Sequence, residues 1–179
     1  MKRKILFYFF YFLEYYYGVK HMEYITFYAS VIIVWIVFGI STYLRPLNFK
    51  NVVIGITTVG YSLSFDTLFG TYMGLYNYIN IKESPLYIIL SAIFIYPMLN
   101  MVYTMFLPDK KRAAFIYTGL WIAAMLLFEY LTLLSGTIIL TGWRPMPWSI
   151  VTYVTTYLWI YFLYRNLVQK FEVNIRSLQ

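Results

Sequence analysis

The sequence predicts an all-α fold, a polytopic membrane bundle of five or six transmembrane helices, and three observations carry that reading. Hydrophobic residues make up 61 % of the 179 residues and charged residues only 12 %. The mean hydropathy is +0.65. A soluble domain of this length has no core large enough to hide so much apolar surface, so its solvent is lipid. The third observation is arrangement: apolar and aromatic runs fill almost the whole chain, and only short polar connectors separate them. Backbone groups in lipid must bond within their own segment, so such runs are helices, and no alternating ten-residue pattern suggests a barrel.

Residues 1–23 form a basic, aromatic N-terminal segment. Lys2-Arg3-Lys4 precedes the run Ile5–Tyr17, which is short and interrupted by Glu14. It is either a short first span or an aromatic helix lying in the interface. It carries no small-x-small cleavage site, which favours a retained anchor over a signal peptide. The bundle itself occupies residues 24–168, with clear spans at Tyr24–Leu44, Val52–Tyr76, Pro85–Leu107, Ala113–Leu134 and Trp148–Val168. Each reaches the roughly 20 residues needed to cross about 30 Å of hydrocarbon. Residues 169–179 are left as a tail. There is no internal repeat and no matching pair of broken helices, which weighs against a transporter.

Charge orders these pieces. Arg45 and Lys50 lie in one connector, Lys110, Lys111 and Arg112 in another, and Arg165, Lys170 and Arg176 towards the C-terminus. The alternate connectors are poorer, with Lys82 offset by Glu83 and Arg144 alone. Positive residues favour the cytoplasm, so the first group is expected inside, with a cytoplasmic C-terminus. A basic N-terminus on that side requires six spans; five put it outside. The net charge of +7 is expected to meet anionic headgroups. No basic stripe or soluble domain points to nucleic acid.

Composition also excludes chemistry. Cysteine is absent and His21 is the single histidine, so thiolate and multi-His metal sites, disulfides and bis-imidazole haem have no ligands within this chain. No cofactor is expected. Paired-aspartate isoprenoid motifs, GxGD and a Ser-centred nucleophile elbow are missing as well.

Two acids stand inside apolar runs, Asp66 and Glu129. A charged carboxylate in lipid is costly, which makes both candidate functional groups. Asp66 lies 16 residues beyond Lys50 and Glu129 17 beyond Arg112, so both are expected about 24–26 Å along their helices, in one outer layer. The bland reading bonds them to tyrosine hydroxyls, Asn77, Lys82 or Arg144 as glue between helices. The sharper reading is a shared proton or cation site. Gly70 and Gly74 form a GxxxG expected to pack against another helix, and Pro97 is expected to kink the third clear span between Ile93 and Asn100. Asn100 reads as an interhelical hydrogen bond. In the loop from Thr141 to Trp148, Trp143 and Trp148 serve either as lipid anchors or as a lid, and Arg144 stacks on a ring or reaches a carboxylate below.

Arg45-Pro46-Leu47-Asn48-Phe49-Lys50, Tyr96-Pro97 leading to Phe106-Leu107-Pro108, Trp121, Glu129-Tyr130, Gly136, Gly142-Trp143 and Trp148 recur in order and spacing over residues 40–165. In these the chain resembles a family of small uncharacterised multi-span membrane proteins of Bacillus-like and Clostridium-like bacteria. Those relatives usually carry tryptophan where this chain has Phe49. The resemblance implies the topology above and a bacterial plasma membrane, draws attention to Glu129 and the Trp143 loop, and implies no reaction.

The expectation is therefore an integral membrane component, non-enzymatic, that binds lipid or a partner, either another protein or a second copy. The alternatives are a small proton- or cation-coupled carrier using Asp66 and Glu129, or an enzyme acting by carboxylates alone on a lipid-soluble substrate.

Overall fold

A computed structural model describes residues 22–176 of the chain, and side chains up to Gln169. The segment on which the choice between five and six spans depends lies outside the described residues. The described elements run α1 (Met22–Leu44), α2 (Phe49–Asp66) prolonged by a π-helical turn (Thr67–Tyr72), β1 (Tyr76–Tyr78), α3 (Ser84–Phe94), α4 (Tyr96–Met105), α5 (Lys111–Leu134), β2 (Ile138–Leu140) and α6 (Pro145–Arg176). Four stretches, Met22–Leu44, Phe49–Tyr72, Ser84–Met105 and Lys111–Leu134, are long and apolar enough to cross a membrane. The fifth expected span, Trp148–Val168, falls inside α6, whose regular course begins after a non-helical Met146.

The distribution of side chains departs from that of a soluble domain. Ile25, Ile32, Ile33, Ile36 and Ile40 of α1 are exposed, whereas Asn51, Thr58, Asn100, Thr104 and Thr118 are buried. Lipid removes the drive to hide aliphatic groups and leaves polar groups to find partners between helices. They do so here: Asn51 Nδ2 donates to Thr104 Oγ1 at 2.9 Å, and Asn100 Nδ2 to Thr58 Oγ1 at 3.2 Å. Asn51 also closes a capping box with Asn48 at the start of α2.

Helix α2 is central. It packs on α3, α4 and α6, its most extensive partner being α4, and α5 lies chiefly against α6. The close approach of α2 to α4 occurs at Gly55, where an added Cβ would stand 2.9 Å from Met101 Sδ. The span made of α3 and α4 breaks at Ile95 (φ −110°, ψ −65°) with Pro97 in the first turn of α4. Proline has no N–H to offer and its ring crowds the carbonyl four residues back.

Alternate connectors gather at opposite ends. At one end Arg45 Nη1 donates to Met105 O at 2.7 Å, and Arg165 reaches the carbonyls of Pro108 and Asp109. At the other, Thr137 Oγ1 donates to Glu23 O, Tyr24 OH donates to Glu83 Oε2, and β1 pairs antiparallel with β2 in the register Tyr76↔Leu140. This two-stranded ladder joins the connector after α2 to the one after α5, so it draws the Asp66 and Glu129 ends of those helices together.

The structure corrects two expectations. The second span ends at Tyr72, not Tyr76, because the chain turns back at Gly74 (φ +62°) into β1. Gly70 and Gly74 consequently do not share one helix face, although Gly70 lies near Ile88 of α3. Gly70 sits in the π-helical turn with the Tyr76 ring against it, where an added Cβ would lie 3.1 Å from Tyr76 Cε2, and Gly74 supplies the left-handed backbone of the reversal. The ring has little room to yield, since it is buried and sits edge-on to Trp143 and Tyr78. Gly70→Val is expected to destabilise the fold by about 1–3 kcal/mol through overpacking. Thermal unfolding in mild detergent checks this, and a neutral result would show that Tyr76 is free to move.

Candidate functional site

Asp66 is the last residue of α2 and lies on its buried stripe, one turn beyond Ser62 and two beyond Thr58. The reversal at Gly74 carries Tyr76 back beneath it. Tyr76 OH donates to Asp66 Oδ1 at 2.5 Å, while Asp66 Oδ2 is buried with no hydrogen-bond partner among the described residues. The carboxyl group as a whole is enclosed, with the residue 6 % exposed. Burial, reinforced by the adjacent Asp66 carboxylate, pushes the Tyr76 phenol far above its ordinary range, and the same two causes act in the same order on Tyr78. Both therefore stay O–H groups: Tyr76 is a donor to Asp66, and Tyr78 OH shares a 2.7 Å hydrogen bond with Tyr96 OH.

Glu129, half-buried on α5, is held differently. Trp143 Nε1 donates to Ser149 Oγ at 3.0 Å, and Ser149 Oγ donates to Glu129 Oε1 at 2.6 Å. The relay is possible because the loop before α6 is anchored to the connector after α2. The amides of Thr141, Gly142 and Trp143 all donate to Leu75 O at 2.9–3.0 Å. Gly142 permits that approach, since an added Cβ would come within 3.0 Å of Leu75 Cδ2. Trp143 then packs edge-on to Phe65, Phe69 and Tyr76.

Both acids line one cavity of about 140 Å³. It lies where two apolar clusters meet, one around Phe27, Tyr87 and Ile88, the other around Ile54, Tyr103 and Tyr157, with Leu99 and Phe128 packed against both. Its walls are unusual in two respects. Eight of the lining side chains are aromatic, and no Lys, Arg or His is among them. The polar groups are carboxyls, hydroxyls and the Asn100 amide, so negative and acceptor character dominates. Such a site suits a proton or a cation and disfavours an anion.

Asp66, Glu129, Asn100 and Trp143 thus come together, whereas other candidates stand apart. Lys82 and Arg144 are exposed and do not line the cavity, so the expected outer cations are not the partners of the acids. A long, strongly hydrated side chain gains more from water than from this apolar mouth. Nor does Asn77 serve; the observed partners are Tyr76 and Ser149. Trp148 is 54 % exposed, away from the cavity, unlike Trp143 in the same loop.

Sequence reasoning missed Tyr76, Ser149 and the polar stripe of α2. The stripe was readable, since Thr58, Ser62 and Asp66 recur every four residues in an apolar helix and so share a face. Tyr76 and Ser149 carried no such signal, because each reaches its acid only through a chain reversal or a loop contact. Comparison with family models, with curated proteins and with solved structures finds no match to the chain.

Proposed function

We propose that this chain is a small proton- or cation-coupled carrier, with Asp66 and Glu129 as the groups that accept the proton or cation. One observation carries the reading: among the described residues, a buried carboxyl with an unpartnered oxygen belongs to a residue lining a cavity that a second carboxyl also lines and no basic side chain does. Leaving a buried acceptor unbonded costs about 1–3 kcal/mol, and such groups inside membranes are retained where they bind something. The polar stripe from Asn51 through Thr58 and Ser62 to Asp66 supports the same reading, since it supplies hydroxyl and amide groups along the inner face of α2. We place the protein in a bacterial plasma membrane with the end bearing Arg45, Lys110 and Arg165 in the cytoplasm, as the excess of basic residues there favours.

The test is flux in proteoliposomes containing a pH-sensitive dye, driven by an imposed pH or cation gradient. Wild-type protein is expected to dissipate the gradient and Asp66→Asn to lose that activity while remaining monodisperse. Flux unaffected by Asp66→Asn sinks the reading. Cation binding without flux, by contrast, would return the protein to the class of lipid- or partner-binding membrane components. A feature that favours lipid binding is an apolar groove between α5, β2 and the start of α6, bounded by Leu133, Leu134, Ile139 and Met146.

A further inference from the structure

The cavity and this groove are neighbours. Glu129, Ser149, Ile138 and Leu140 form walls of both, so a polar chamber and an apolar trough of about 1080 Å³ share one partition. The trough is lined by aliphatic side chains of α5 and β2 together with Pro145, Met146 and Ile150 of α6. Its polar boundary is the Glu129–Ser149 pair, the same pair that faces the chamber.

Resting on the carrier reading, we propose that the substrate is an amphiphilic ammonium ion with a single alkyl chain, its head in the Asp66 chamber and its chain in the groove. The head is specified by charge and shape. Asp66 Oδ2, on a residue 94 % buried, is enclosed and without a partner among the described residues, and an ammonium seated against Asp66 brings both the N–H donor and the positive charge that it lacks. Glu129 supplies a second negative wall. Tyr61, Phe65, Tyr78 and Tyr153 also line the chamber, and aromatic walls favour a cation over an anion. A chamber of this size holds about six non-hydrogen atoms, roughly a benzene ring. That admits an amine head but not a glycerophosphate, and a phosphate would find two carboxyls and no cation among the walls. The chain is specified by adjacency, since the trough lies across the Glu129–Ser149 pair from the chamber and offers an alkyl group mainly aliphatic neighbours, together with Tyr130.

The experiment uses the full chain in phosphatidylcholine nanodiscs and a ten-carbon alkylammonium bearing a terminal photoactivatable diazirine. Label located by mass spectrometry is expected on Leu133, Leu134, Ile139 and Met146, and an excess of ethylammonium is expected to displace it. Asp66→Asn is expected to weaken binding about tenfold or more. The competition needs no variant, so it stands if Asp66→Asn folds poorly. Label scattered over the outward face of α1, or label in the groove that ethylammonium leaves untouched, overturns the proposal, because the probe would then be sampling bulk lipid or a groove unconnected to the chamber. Ethylammonium binding measured by calorimetry, with no label in the groove, also overturns it and shows the groove filled by lipid or by the chain's own residues. In each of these cases Asp66-dependent proton flux would leave the carrier reading intact, and its absence would remove both.

Discussion

Tyr76→Phe is expected to lower stability by about 1–3 kcal/mol, although it removes a single oxygen atom. The phenylalanine ring fills the same space against Gly70, Tyr78 and Trp143, so packing is conserved. What disappears is the one hydrogen bond that Asp66 accepts, after which neither oxygen of a buried carboxyl has a partner. The informative comparison is the double variant Asp66→Leu with Tyr76→Phe. Removing both members of a buried polar pair, with groups of similar shape left behind, is close to neutral or stabilising, whereas removing one is not. The double variant is therefore expected to be at least as stable as wild type in thermal unfolding in mild detergent, and to have lost flux. That pattern would separate the Asp66–Tyr76 pair from the forces that hold the bundle together and mark it as a feature maintained at the expense of stability. A neutral Tyr76→Phe would instead mean that Asp66 has another partner within the chamber. A double variant that unfolds more readily than Tyr76→Phe alone would make the pair structural.

The spans were legible because hydropathy and length are local properties. Residues 24–44 and 113–134 read as helices from composition alone, and a kink between Ile93 and Asn100 was expected from Pro97. The layer shared by Asp66 and Glu129 could be anticipated by counting residues from the basic connectors, since helical rise is fixed. What composition could not show was how the connectors fold. Residues 77–84 and 135–147 look like short links and residues 73–76 like the end of a span, yet together they supply a β-ladder, the return of Tyr76 and the threefold anchoring of the Trp143 loop on Leu75 O. The ladder and the Leu75 anchoring join residues about 60 or more positions apart, and no periodicity encodes them. GxxxG misled for the same reason. The spacing is that of a helix face, but the helix ends before Gly74, and the close helix approach falls on the isolated Gly55.

The two tryptophans of that loop are expected to behave in opposite ways. Trp143 is half-buried, packs against Phe65, Phe69 and Tyr76, and donates its indole N–H to Ser149, which in turn donates to Glu129. Trp143→Ala removes all of this and is expected to destabilise the fold by about 2–4 kcal/mol, somewhat below a fully buried tryptophan because part of the ring is exposed. Trp143→Phe retains most of the packing and loses the indole bond, for which about 1 kcal/mol is expected. Trp148, 54 % exposed, belongs to the outward surface where tryptophan favours the headgroup boundary. Trp148→Ala is expected to change unfolding by less than about 0.5 kcal/mol, while reducing how firmly the protein holds its depth in a bilayer. Unfolding in detergent reads the first effect, and depth-dependent quenching by spin-labelled lipids reads the second. Equal losses from Trp143→Ala and Trp148→Ala would mean that the loop acts only as a rigid anchor. A large loss from Trp143 alone makes it part of the chamber, positioning the serine that holds Glu129 at the partition between chamber and groove.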